Sequence, residues 1–378
     1  MTCAAQARGG VAGRTERVAT MRRLWCMLVL ASLLASAFVL PASGASPNVR
    51  IAFDFASLKA TVDALEDPSL TLGRARAVAA LPGPRATIAQ TSRFDKAATA
   101  ERYAESLLAA AHGSAAAGDP FAFDAVAAKK AEIAALTAII ARSPETFMAP
   151  VLQRDLAYSP QNANVLVHVV PVLGGTSDGW SRGDTFYIAL HYFGNDVPAL
   201  QSLLAHECYH VIQSSVRSRA TGPEPSERAR AALALFRSLE DEGTASLVGD
   251  PAAFPGDGAY SRFLKQKYRR NENRIVEAFE LFTSLLYRTY SDESASPNAL
   301  YDLGFSGTWD SSAYFVGYRM AKVIERYRGR VAIGGLIATA SPLDFVRAYA
   351  EIAAAHPADP DIVPLPAAMV GIAHALER

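Results

Sequence analysis

Cysteine is scarce in this chain, with three in 378 residues, at positions 3, 26 and 208. The first two lie in or before an apolar N-terminal segment. A chain processed after that segment keeps Cys208 alone and has no internal disulfide. That excludes a small stapled extracellular module and leaves packing to hold the fold. An excess of one charge sign is also missing, since 37 basic side chains balance 37 acidic ones. Residues 1–44 hold five arginines and one acid, so the remainder is slightly acidic. Nothing in that balance asks for nucleic acid or an anionic surface, and no nucleic-acid-binding module is recognisable.

Long apolar runs are missing too, apart from residues 24–40. Met21-Arg22-Arg23 precedes that run and Pro41-Ala42-Ser43-Gly44-Ala45 follows it. A positive stretch, an apolar stretch and a small-residue site are the plan of a secretory signal peptide, cut before Ala45 or before Ser46. Residues 1–20 read as an extension upstream of an initiator at Met21. Seventeen apolar residues sit at the lower edge of a membrane span, and the small-residue site favours cleavage over anchoring. The expectation is an exported bacterial protein, periplasmic or secreted, with no stable membrane span after cleavage. Four regions are expected: a leader over 1–45, a helical region over 46–150, a catalytic region over 151–356, and a Pro/Ala-rich tail over 357–378.

The hydrophobic period predicts mostly helix. Phe55, Leu58, Val62 and Leu65 recur at spacings of three and four, and Leu81-Pro82-Gly83-Pro84 breaks the run. Helical pattern resumes over 99–110 and 122–140. Residues 164–170 and 185–190 are β-rich, joined through a glycine-rich loop. Asn195 or Asp196 can cap the next helix, with Pro198 in its first turn. On that helix Leu200, Leu204, Cys208 and Val211 form an apolar stripe, which makes Cys208 a packed thiol. Lys265, Lys267, Arg269 and Arg270 read as a solvated helix face. The fold class is α+β, predominantly helical, with a small sheet packed against the capped helix.

That helix carries His206-Glu207-Cys208-Tyr209-His210, an H-E-x-x-H motif. Histidines four residues apart share one helical face, one turn apart, so both can reach one metal ion. Glu207 can hold a water that zinc activates. A catalytic zinc needs a third protein ligand. Glu240, Asp241 and Glu242 are the downstream candidates; Glu242 continues the apolar face of its helix, and Glu240 or Asp241 could accept a hydrogen bond from a ligand histidine. Gly243 permits close backbone approach beside the acid. His112, His168 and His191 read as structural or surface residues.

H-E-x-x-H followed by Glu242-Gly243-Thr244-Ala245 resembles the gluzincin group of zinc metallopeptidases, whose aminopeptidase branch carries an E-G-x-A helix. The resemblance implies a zincin-like domain with His206, His210 and Glu242 as zinc ligands and Glu207 as general base. Residues 164–213, the Glu-Gly element and Tyr314-Phe315-Val316-Gly317-Tyr318-Arg319-Met320 are similar to a bacterial family of zinc-dependent peptidases. That similarity places Tyr314 near the cleft as the donor to an oxyanion, with Tyr318 as the alternative. Between His210 and Glu242 lie 31 residues, more than usual in aminopeptidases, and Ser246 stands where the thermolysin pattern has Asp. No G-x-M-E-N exopeptidase signature is present. The expected activity is hydrolysis of a peptide or protein substrate, with residues 185–190 as an exposed edge strand along which an extended peptide lies. Rival expectations are an inactive zincin scaffold that binds an envelope partner, and a zinc amidohydrolase acting on a non-peptide amide.

Overall fold

The computed structural model describes residues 46–219 and 224–378. The expected leader lies outside them. Strand β1 (Asn48–Phe53) is followed by helices α1 (Ala56–Glu66), α2 (Leu72–Ala79), α3 (Pro82–Thr91), α4 (Ala100–Ala111), α5 (Phe123–Ala128), α6 (Lys130–Arg142) and α7 (Pro144–Tyr158). Strands β2 (Asn164–Val172), β3 (Gly179–Arg182) and β4 (Thr185–Ala189) come next. The remainder is helical: α8 (Val197–Val216), α9 (Glu227–Val248), α10 (Ala259–Glu272), α11 (Ile275–Ser291), α12 (Pro297–Phe305), α13 (Ser312–Arg328), α14 (Arg330–Ile337), α15 (Leu343–Ala355) and α16 (Ala367–Leu376). The protein is α+β and predominantly helical. Ser46–Arg378 is one compact unit, and its largest apolar cluster runs from Val49 to Ala373. None of the described helices is long and apolar enough to cross a membrane.

Local signals explain the helix starts. Thr99 accepts the Arg102 N–H ahead of α4, and Ser226 accepts that of Ala229 ahead of α9. The Leu81-Pro82-Gly83-Pro84 break is also a beginning, because Pro82 occupies the first turn of α3, where its missing N–H costs nothing. Residues 357–378 end in α16, whose Met369 and Ile372 are buried and which packs on α11.

The sheet departs from expectation in two ways. Its order is β1-β2-β4-β3. Residues 48–53 pair in parallel with β2, in register Asn48 to Asn164, although the sequence pattern there suggested helix. Short alternation cannot announce a partner more than a hundred residues away. β4 was expected to be an exposed edge and is interior instead, parallel to β2 and antiparallel to β3. Gly183, at φ +65°, lets the chain reverse between Arg182 and Thr185, so β3 covers β4 and becomes the edge itself.

Against this sheet lies α8. Asp196 is its cap, accepting the Ala199 N–H at 3.3 Å, and the same carboxylate accepts both the N–H and the hydroxyl of Ser261 at 2.7 Å. That buried aspartate fastens the start of α8 to the start of α10. Leu200, Leu204, Cys208 and Val211 are all buried, and Cys208 is a free thiol. Helix α9 crosses α8 on one side and packs closely on α13 on the other. A Cβ on Gly243 would collide with the backbone of Gly317, and one on Gly317 would collide with the Leu239 carbonyl. Two glycines therefore set how near α9 and α13 approach.

Candidate metal centre and cleft

His206 and His210 leave α8 on the side facing α9, where Glu242 meets them. The His206 Nε2 to His210 Nε2 distance is 3.1 Å. Glu242 Oε2 lies 3.4 Å from His206 Nε2 and 3.3 Å from His210 Nε2. Donors about 2.0–2.1 Å from one tetrahedral zinc are separated by roughly 3.3 Å, so this triangle has zinc dimensions. Glu242 Oε2 is also buried without a hydrogen-bond donor. Such an orphan acceptor beside two imidazole nitrogens suits a cation.

The orientation of His210 is fixed by a residue the sequence reading did not single out. Gln213 Nε2 donates to the Asp241 carbonyl and to Thr244 Oγ1, both at 2.8 Å. Its Oε1 is thereby left as an acceptor, and His210 Nδ1–H donates to it at 2.8 Å. With a proton on Nδ1, Nε2 is the nitrogen turned toward the centre. The available signal was an amide side chain three residues past His210, on the same face of the helix. Glu240 and Asp241, expected as candidate partners of a ligand histidine, turn elsewhere with their side chains. Arg237 donates to Glu240, and Arg217 donates to Asp241 and lies 3.8 Å from Glu240. Burial raises the Glu240 carboxyl to about 8, against the pull of Arg237.

Charge within the centre is strongly coupled. Burial alone would lower the His210 imidazole, yet the Glu242 carboxylate more than offsets it and raises it to about 10. Burial would likewise raise Glu242, but His210 and His206 hold it well below the usual carboxylate range. Glu207 stands beside the triangle at the cleft wall, and Ser181 Oγ of β3 donates to its Oε2 at 3.1 Å. Desolvation raises the Glu207 carboxyl, partly opposed by the two histidines.

Tyr314, in the first turn of α13, has its ring parallel to that of His206, with centroids 6.2 Å apart and planes 2° from parallel. Burial, followed by the charges of Glu242 and Glu207, keeps its hydroxyl protonated far above the ordinary tyrosine range. Tyr318 is drawn away from the centre, donating to Asp250 Oδ2 at 2.6 Å. His191 is buried with Nδ1 unpartnered, and burial and Lys129 lower its pKa to about 4. His112 is exposed, and His168 sits half-exposed 3.9 Å from Asp184. A cleft of about 290 Å³ opens over His206, Glu207 and Tyr314.

Fold and site together define a helical α+β protein in which His206, His210 and Glu242, from two packed helices, form a three-donor group that could hold a metal ion. Residues 76–358 match the model of a family described as "Putative zinc dependent peptidase (DUF5700)", and the chain belongs to that family. Zinc dependence is given by the family description, and His206, His210 and Glu242 form a group that could hold the ion. Peptides or proteins are the substrate class the family description implies. No curated protein and no solved structure matches the chain.

Proposed function

We propose that the chain is a zinc metallopeptidase of gluzincin type, with His206, His210 and Glu242 holding the ion and Glu207 as general base. The observation carrying this is the triangle of three donors, 3.1–3.4 Å on a side, with the Glu207 carboxylate, from the helix of the two histidines, beside it. A site that only stored zinc would have no use for Glu207. Bound zinc supplies Lewis acidity toward a carbonyl and makes water a stronger acid. Glu207 accepts the proton of the attacking water and returns it to the leaving amine. Its raised pKa brings it nearer the working pH of such a shuttle, and Ser181 holds the carboxylate in place. Tyr314, protonated and stacked beside His206, donates to the oxygen that gains charge as the carbonyl is attacked.

Ser181 belongs to β3, so the edge strand runs past the general base. An extended peptide would lie along β3, taking main-chain hydrogen bonds from the free side of Gly179–Arg182. The signal-like pattern of residues 21–45 supports export, with the mature protein acting outside the cytoplasm.

The deciding test pairs metal content with turnover. Purified protein is expected to carry one zinc per chain, which Glu242→Ala loses and Glu240→Ala keeps. Wild type should cleave members of a broad peptide library, while zinc-loaded Glu207→Gln falls by roughly 10²–10⁴-fold. A wild type that takes up no zinc, or equal turnover in Glu207→Gln, would overturn the assignment.

A further inference from the structure

The basic run on α10 is not one uniform solvated face. Lys265 donates to the Gly256 carbonyl and Arg262 to that of Asp257. Arg269 donates to the Lys265 carbonyl at 3.5 Å, and Arg270 pairs with Asp310. Lys267 differs from all of these. It lines the cleft over His206 and Glu207, is half-buried, and its ammonium has no hydrogen bond or ion pair among the described residues. Burial lowers its pKa, opposed in part by the more distant charges of Asp178, Asp310 and Glu242.

The acids at and near the cleft are already engaged, Glu207 on its wall accepting from Ser181 at 3.1 Å. Asp178 accepts the Gly179 N–H at 3.0 Å and the Tyr260 hydroxyl on its other oxygen. Asp310 is held by Arg270 and Arg274, and Glu242 belongs to the metal centre. An ammonium withdrawn from water gains from an anion arriving with the ligand, and here the protein supplies none in contact. The cleft wall also carries the apolar side chains Phe263, Leu264, Phe305 and Phe315 among its polar ones, and Phe263 is 52% exposed at the surface. In the other basic pocket, Arg319 and Arg326 are paired with Glu272, Asp359 and Asp361, and Lys322 is exposed and lies over the Tyr318 ring.

We propose that Lys267 makes this cleft a carboxylate-binding subsite, so that the preferred ligand is an apolar peptide carrying a carboxylate beside the metal centre. The carboxylate is supplied either by the peptide's C-terminus or by a Glu or Asp side chain. The idea rests on the peptidase assignment for the peptide nature of the ligand, and not for the subsite itself.

Binding to zinc-loaded Glu207→Gln protein separates these sources without turnover. An N-acetylated apolar tetrapeptide is offered as the free acid, as the C-terminal amide, and as the amide with one glutamate. At least one acidic form is expected to bind about tenfold or more tightly than the neutral amide. Adding Lys267→Met should abolish that ratio and Lys267→Arg should keep most of it, with zinc content and Tm unchanged in both. Preference for the free acid alone assigns the C-terminus, and preference for the glutamate peptide alone assigns an acidic side chain. A ratio unchanged by Lys267→Met, or no binding of either acidic form, overturns the subsite. Cleavage by wild type is read in parallel on the same three peptides. Lys267-dependent acid binding without cleavage overturns the peptidase assignment and leaves the subsite standing, whereas cleavage with no acid preference overturns the subsite alone.

Discussion

Helices α8 and α9 furnish one centre in different ways. On α8, His206, Glu207 and His210 fall within five residues, and the backbone repeat alone brings the imidazoles together. On α9, Glu242 arrives after 31 intervening residues, and its place depends on how α9 is wedged between α8 and α13. The first half of the site survives any packing that keeps one helix intact. The second half exists only at one helix–helix distance, fixed where Gly243 meets Gly317.

The largest expected break in this contrast is Gly317→Val. The added carbons would enter the Leu239 carbonyl and push α13 from α9, at a cost of about 1–3 kcal/mol or more. Zinc affinity and Tm should fall together, although α8 is untouched; retention of both would show that the crossing does not position Glu242. Next comes Tyr314→Phe. It is expected to lower kcat by about 10²–10³-fold with full zinc content, since only a donor to the developing charge is lost. An unaltered kcat would remove Tyr314 from the chemistry.

Gln213→Leu sharpens the comparison from the other side, because it frees the α8 half from its tie to α9. Loss of the acceptor for His210 Nδ1–H should weaken zinc binding by roughly 10–100-fold while the helix stays folded, measured by competition with a chelator. The smallest effect at neutral pH is expected from His191→Gln, which lies before α8 and outside the centre. His191 is neutral in the fold, with its pKa lowered to about 4 from 6.5 by burial and Lys129. Its contribution to stability is therefore complete above pH 6.5 and is lost as pH falls toward 4. The variant should flatten the acid limb of the Tm–pH curve between those values and leave zinc content unchanged.

What could be read in advance follows the same division. Repeats of 3.6 residues, caps and prolines announced α1, α4 and α8, because each signal sits inside the element it describes. The β1–β2 pairing and the β3 edge escaped, since neither strand carries a mark of its partner. Around the centre, Gln213 was overlooked because its role depends on a carbonyl and a hydroxyl of another helix. Lys267 looked like its neighbours along α10 and differs only in which wall it lines.

The sequence by itself determined the paired histidines, the glutamate between them and the glycine beside a downstream acid, for spacing within one helix is a local covalent property. Only the tertiary structure decided which acid completes the triangle, which strand borders it and which cation lines the cleft. Those outcomes depend on distances between elements far apart in the chain, and such distances arise only when the whole core packs at once.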